Sequence, residues 1–319
     1  MTDGAAPLPP GYEQVNSYTR IIVDEAVRRG IHVEIGDPSR GELRLWYGGR
    51  TITTFESLSE LTSAVAFRRC DDKLLTRSVL ERAGLTVPAG RQATGDDADL
   101  EFLREHRAVV VKPARGEQGW GVSVGVTTGE ELAEACAAAR RYWPVVLLEE
   151  QRRGDDVRAV VIDGDLVAAA VRRPAAVRGD GRRTVAELVA GADGRRREAT
   201  DGAARVSLDD GLVRAAGLDP TSVLAQGREL VVSGTANVHT GASIVDVTDD
   251  LHPALADLAV MAAEAVGIPV AGVDIIADAV DKPDGAVIEV NEQPGLANHE
   301  PRPTAARFVD LLFPESRGR

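Results

Sequence analysis

The stretch VAGVDIIADAVDKPDGAVIEVNEQPG, residues 270–295, reads as two strands joined by the tight polar turn Asp281-Lys282-Pro283-Asp284-Gly285. Side chains alternate along a strand, so Glu289 and Asn291 share one face of the second strand. Folding the hairpin about its turn sets Asp274 roughly opposite Glu289. Two carboxylates facing each other across a strand pair repel, and folding alone supplies no reason for the arrangement. A bound hard cation would supply one. Two carboxylates and an amide oxygen suit Mg²⁺, which commonly shares its shell with substrate phosphates. The competing reading is a half-solvated hairpin with a wet polar face.

The totals narrow the class. A chain of 319 residues with 44% hydrophobic and 27% charged residues is expected to be a soluble globular protein of one large or several ordinary domains. Its apolar runs are too short for a membrane span, and its first residues lack the pattern of a secretory signal. Cys70 and Cys136 are too few for a disulfide framework or a zinc site, so a reducing cytoplasm is expected. The net charge of −13 argues against nucleic-acid binding. Between Arg152 and Arg205, however, twelve arginines stand against nine acids, either a solvated surface or a place for anionic ligands.

Working outward, helical spacing predicts helices over 18–29, 58–69, 72–83, 130–141, 253–266 and 304–312. Strands are expected at 31–35, 43–47, 51–54, 109–113, 122–126, 145–148, 157–162 and 166–171. Gly48-Gly49 and Asp163-Gly164 read as hairpin turns, the second of type I′. Thr248-Asp249-Asp250 reads as the cap of the 253–266 helix. The polar excursion 178–228 is long enough to carry function or form a subdomain. Val109 to Pro113 ends in a lysine and runs into ARGEQGWG at 114–121, a glycine-rich loop between two strands whose N–H groups are able to cradle phosphates. It is neither a Walker loop nor a dinucleotide fingerprint. The mixture of helices and hairpins gives an α+β (mixed α/β) class.

The order of these features resembles the ATP-grasp carboxylate–amine ligases. The residues that carry it are Cys70-Asp71-Asp72-Lys73, VVVKP at 109–113, GDDVR at 154–158, TANVHTGASIVDVTDDLHP at 235–253, AGVDI at 271–275 and IEVNEQPG at 288–295. The likeness is nearest to N-acetylglutaminylglutamine synthetase and the ATP-grasp part of cyanophycin synthetase, and it covers about residues 56–314. It implies two α+β subdomains clamping ATP after a small α/β N-terminal lobe: a flexible 1–15, a lobe at 16–70, and an ATP-grasp domain at 71–314 with a lid subdomain at about 108–152 and a C-terminal subdomain at about 153–314. Lys73 and Lys112 would contact phosphates, Glu149 would lie near the adenine and Asp156 by the ribose. Asp274, Glu289 and Asn291 would hold two Mg²⁺ ions, with Mn²⁺ as a substitute. Asn237, Thr240 and Gly241 would line the γ-phosphate. Arg158 and Arg172 would stand near the reacting groups, with Arg302 and Arg307 as further candidates for substrate carboxylates. The loop 115–121 is the natural lid, with Gly116, Gly119 and Gly121 giving it mobility.

The chemistry this resemblance implies is ADP-forming dipeptide synthesis. ATP converts a carboxylate into an acyl phosphate, which an amine then attacks, and no enzyme nucleophile is needed. The expected substrates are amino acids, with a glutamate- or glutamine-type carboxylate activated, a γ-glutamyl linkage among the possibilities. A free-standing ligase without a further catalytic domain is expected, without nucleic-acid or membrane partners, and as a homodimer. The alternatives are a ligase adding amino acids to a protein tail and a nucleotide-binding regulatory protein. His239, His252 and His299 read as structural.

Overall fold

A computed structural model of the chain describes residues 7–117, 119–199, 205–233 and 241–317, without the side chains of 196, 198 and 199. Asn16 caps α1 (Ser17–Arg28) by accepting a hydrogen bond from the Thr19 N–H at 2.9 Å, an interaction worth about 1 kcal/mol. Thr19, Ile22, Val23 and Ala26 form the buried face of α1, the stripe expected of an amphipathic helix. β1 (His32–Ile35), β2 (Glu42–Tyr47), β3 (Arg50–Phe55) and β4 (Leu58–Ser59) make an antiparallel sheet in that order. Gly48 and Gly49 form the β2–β3 turn with φ of 58° and 84°, as the sequence predicts.

The helix expected from residue 58 starts later. Leu58 pairs with Phe55, and the Ser57 hydroxyl donates to the Pro294 carbonyl at 2.7 Å. α2 (Ala64–Asp71) begins only at its Ser63 cap. Strand pairing and a cap override the helical period of 58–63. Asp72 caps α3 (Lys73–Arg82).

β5 (Gly90–Gln92) lies in the extended segment that Val87-Pro88 opens in the sequence, whereas no sequence pattern predicts α4 (Asp97–His106). The buried positions of α4 are Asp99 and Leu103, too sparse an apolar stripe to announce a helix. β6 (Val109–Pro113), β7 (Ser123–Val126), α5 (Gly129–Arg140) and β8 (Val146–Glu150) follow, and the sheet order is β5-β8-β6-β7. β9 (Asp155–Ile162) and β10 (Asp165–Arg173) turn through Asp163 and Gly164, whose φ of 54° and 80° are both left-handed as a type I′ turn requires.

The 178–228 excursion is a small subdomain. β11 (Ala176–Arg178), α6 (Val185–Ala199), α7 (Asp210–Ala215) and β12 (Glu229–Val231) enclose a core that includes Val185, Leu188, Val213, Leu224 and Leu230. β13 (Ser243–Asp246), α8 (Pro253–Val266), β14 (Val270–Ala277), β15 (Gly285–Asn291) and α9 (Thr304–Leu312) complete the chain. The cap of α8 is His252, whose Nδ1 accepts from the Ala254 N–H at 3.1 Å, not the Thr248-Asp249-Asp250 segment. Thr248 instead accepts from the Ala169 N–H at 2.9 Å.

The chain forms two compact units. One holds the chain up to Ala89, Arg152–Ala170 and the chain from Asp246, and the other holds Gly90–Gln151 and Val171–Val245. This grouping cuts across contiguous segments, since 171–245 goes with 90–151. In the first unit β10, β9, β14 and β15 are successive neighbours, and Ile22, Val23, Leu43, Val160, Ile162, Val270 and Phe308 share its core.

Gly154 opens β9 with φ of 141°, and a Cβ there would lie 1.9 Å from the Ala277 carbonyl oxygen. The obstacle is backbone at the end of β14, so relief requires moving a central strand. Gly154→Ala is expected to destabilise the protein by about 3 kcal/mol. A urea midpoint within error of wild type would show that this junction yields freely.

Candidate active site

On the first unit, three neighbouring strands place a row of charges on one sheet face. Asp274 on β14 is opposite Arg158 on β9 and opposite Glu289 on β15. One step along, Gly272 is opposite Asn291. A bulge makes this row. From Ala277↔Gly285 to Ile275↔Val287 the register is regular, and it then shifts to Asp274↔Glu289, leaving Ile288 as the extra residue. Without that shift Ile288 would pair with Asp274 and Glu289 with Val273, and the Glu289 carboxylate would point to the other face.

The opposed carboxylates each have a cation. Arg158 donates to both oxygens of Asp274, from Nε to Oδ1 and from Nη2 to Oδ2, the latter at 3.1 Å. Lys73, first residue of α3, reaches Glu289 Oε1 at 2.9 Å. Folding thus does give a reason for the facing acids, against the sequence expectation: in the row Lys73–Glu289–Asp274–Arg158 the two central acids are flanked by a cation at each end, and the four charges sum to zero. The Asp274 side chain is 3% exposed and that of Glu289 28%, so Glu289 is the more accessible of the two carboxylates. Asn291 Nδ2 donates to the Gly272 carbonyl at 3.1 Å and lies 3.5 Å from Asp274 Oδ2. That leaves its amide oxygen as the atom able to meet a cation. A Cβ on Gly272 would come within 2.8 Å of Arg158 Nη1, so the glycine clears the path of the guanidinium across β14. Asp156 stands two residues before Arg158 on the same face of β9 and is half-buried.

On the second unit, Lys112 at the end of β6 pairs with Glu149 on β8, Nζ to Oε2 at 2.6 Å, both side chains under a tenth exposed. Glu149 is opposite Val110, two residues from Lys112, so the pair is a diagonal contact on one face. Gly116, Gly119 and Gly121 in the following loop have φ of 125°, 78° and 69°, conformations that favour glycine. Arg172 is half-buried on β10. Gly241 has φ of 90° and lies against Val206. Asn237, Thr240 and His239 fall outside the described residues.

The remaining arginine candidates already hold carboxylates of the chain. Arg307 binds Asp165. Arg302 donates to Asp246 at 2.6 Å and to both oxygens of Asp249 at 3.1 and 2.7 Å. Burial pushes the Asp246 carboxyl up, but hydrogen bonds from Arg302 and Thr248 outweigh it and hold it at about 2. A carboxyl depressed below its unfolded value of about 3.9 contributes stability above that pH and loses it on acidification. The stability difference between wild type and Arg302→Gln is therefore expected to be constant near neutrality and to shrink as pH falls from about 4 toward about 2. A difference that grows on acidification, measured by urea unfolding, would contradict the clamp.

Residues 225–304 match the RimK-like ATP-grasp domain. Over 95% of its length the chain superposes on 44% of a bifunctional glutathione synthetase from Pasteurella multocida, with a TM-score of 0.68 and 27% identity. The chain has the ATP-grasp fold. It is 34% identical over 322 residues to a cyanophycin synthetase of Nostoc sp., covering 94% of this chain and 35% of that one. It is 30% identical over 333 residues to a bifunctional glutathione biosynthesis protein of Mannheimia succiniciproducens, covering 95% and 43%. The chain thus spans less than half the length of these curated relatives.

ATP-grasp ligases use ATP and Mg²⁺, and the residues on this sheet face fit a magnesium ion. Among the described residues no three His, Cys, Asp or Glu side chains cluster as a self-sufficient metal cage. Two carboxylates and one amide oxygen on a shared face are an incomplete all-oxygen set, the kind Mg²⁺ completes with phosphate oxygens and water. Among the described residues no helix is long and apolar enough to cross a membrane. His252 caps α8 and His299 is buried, in keeping with structural roles.

The scarcity of lysine is itself a signal in the composition. The chain has three lysines, Lys73, Lys112 and Lys282, among 37 basic residues. In so arginine-rich a background, two of the three stand in ion pairs with Glu289 and Glu149. A compact ammonium offers what a planar guanidinium does not, a point charge that fits between phosphate oxygens.

Proposed function

We propose that the chain is an ATP-dependent, ADP-forming carboxylate–amine ligase that joins a glutamate- or glutamine-type carboxylate to the amine of a second amino acid. The observation that carries this reading is the row Lys73–Glu289–Asp274–Arg158 with Asn291 beside it. Charged groups of both signs are set on a rigid sheet face, balanced among themselves and able to regroup around a phosphate. The printed identities of the relatives, a cyanophycin synthetase and a glutathione biosynthesis protein, support a ligase acting on amino-acid substrates.

In this reading Glu289, Asp274 and Asn291 hold Mg²⁺, which supplies neutralisation of phosphate charge. The chain's own residues do the rest. Lys73 shifts from Glu289 to phosphate oxygens, Lys112 is the phosphate contact on the second unit, and Asp156 accepts from the ribose hydroxyls. Glu149 holds Lys112 in place beside the adenine position. Arg158 acts through Asp274, orienting its carboxylate, and this replaces the direct contact with reacting groups expected from the sequence. Arg172 is the arginine proposed to face the activated carboxylate, for which a guanidinium offers paired donors. Asn237, Thr240 and Gly241 remain the proposed γ-phosphate segment.

The test is phosphate release from MgATP with pooled amino acids, followed by mass spectrometry of the products. A product heavier than a glutamate-type acid by one amino acid less water is expected. Folded, ATP-binding protein that releases no phosphate with any pair containing glutamate or glutamine would overturn the reading. Release only upon adding a protein substrate would favour ligation to a protein tail instead.

A further inference from the structure

We infer that Tyr142 and Trp143 form an aromatic bracket that holds the two ends of the glycine loop, at Arg115 and at Trp120–Gly121, in the nucleotide-free protein, which makes them positioning residues of the proposed phosphate site. The inference rests on that proposed site for its role in binding, but the bracket itself is built entirely within the second unit. Tyr142 and Trp143 are adjacent in the connection between α5 and β8. At the start of the loop the Arg115 guanidinium lies over the Trp143 ring, 4.8 Å from its centroid. At the end of the loop Trp120 stacks on Tyr142, with centroids 6.4 Å apart and planes at 27°. A Cβ on Gly121 would lie 2.6 Å from Tyr142 Cδ2 and 3.1 Å from Pro113 Cγ. The loop backbone therefore rests directly on the tyrosine ring, and only glycine permits it.

Two neighbouring rings thus hold both ends of one loop. Packing of the core does not account for them: Trp120 and Tyr142 are 55% and 54% exposed, and the core of this sheet is built from other residues such as Val109, Val111, Leu132 and Leu148. Inside the loop the backbone bonds are long, Trp120 N to Glu117 O and Val122 N to Gly119 O, both at 3.2 Å. Three glycines in left-handed conformations leave such a loop with many alternatives. The Trp120 stack on Tyr142 is by itself enough to shift a loop equilibrium by about tenfold, and the cation–π contact of Arg115 adds to it. A loop already held in its binding position adds no ordering cost to ligand capture, so its loss appears directly as weaker affinity. The affected ligand part is the phosphate chain, because N–H groups of a glycine loop recognise anions.

The experiment compares full-length wild type, Tyr142→Ala and Tyr142→Phe. In nucleotide-free protein, hydrogen exchange in the peptide covering Trp120 and Val122 is expected to be about tenfold faster in Tyr142→Ala and normal in Tyr142→Phe. The MgATP dissociation constant is expected to rise about tenfold in Tyr142→Ala and to recover in Tyr142→Phe, with adenosine binding unchanged in both. Unchanged loop exchange in Tyr142→Ala would overturn the bracket. So would adenosine weakening in step with MgATP, because the effect would then lie in the nucleoside site or the fold. If wild type binds no MgATP the proposed function fails, and the exchange comparison alone then decides the bracket.

Discussion

Asp274→Asn is expected to lower ATP turnover by about two to three orders of magnitude, the loss typical of removing one preorganised charge from a transition-state site. The substitution keeps size and shape and removes the charge that Arg158 grips through both carboxylate oxygens. Two consequences follow from one atom set. The proposed Mg²⁺ loses a buried carboxylate, and Arg158, 20% exposed, loses its counter-ion. The second effect is expected to cost about 2 kcal/mol of stability, the range of a hydrogen bond to a charged group. Turnover is therefore measured by phosphate release at a temperature where both proteins are folded by circular dichroism. Glu289→Gln is the useful contrast. Its carboxylate is more exposed and paired with a flexible lysine, so turnover should fall as far with less change in stability. Retention of more than a tenth of wild-type turnover by folded Asp274→Asn would remove Asp274 from the metal set.

Lys112→Met is expected to destabilise the second unit by about 3–5 kcal/mol, the usual result of breaking a buried ion pair from one side. Both partners are nearly enclosed, so the carboxylate of Glu149 would remain in a low-dielectric interior without its ammonium. The double change Lys112→Met with Glu149→Leu is expected to recover most of that loss, because two apolar side chains of similar volume need no compensation. It should not recover MgATP binding. Urea unfolding of the two single variants and the double variant measures the coupling. A Lys112→Met midpoint within about 0.5 kcal/mol of wild type would show that the pair is not the support of β6 and β8 proposed here. These two predictions separate the roles of the lysines: Lys112 combines a structural and a proposed binding role, while Lys73, on a more open pair, is expected to affect binding more than folding.

Much of the scaffold was legible from local pattern. β6 and α9 have the boundaries that apolar spacing predicts, and both hairpin turns follow from Gly-Gly and Asp-Gly chemistry. The errors also have physical causes. The helix expected from residue 58 failed because Leu58 found a strand partner three residues back and Ser57 a carbonyl at Pro294. α4 was missed because its inward face carries Asp99, which is satisfied by the N–H groups of Thr94 and Gly95, and such a face leaves no apolar signature. Arg302 looked available in the sequence, whereas the fold brings Asp246 and Asp249 to it from more than fifty positions away.

What the sequence determined by itself was the kind of chemistry: acids on one hairpin, lysines after an apolar strand and at a helix start, and glycines where a loop must approach closely. These are local choices of residue type, and backbone period and turn chemistry suffice to read them. Tertiary structure alone decided how the charges are balanced. Arg158 meets Asp274 across 116 positions because β9 and β14 are neighbours, and Lys73 meets Glu289 because α3 starts beside β15. A bulge that leaves Ile288 unpaired across the ladder keeps Glu289 opposite Asp274, since a strand has a period of two and Ile288 in regular register would put Glu289 on the other face. No pattern along the chain encodes that bulge.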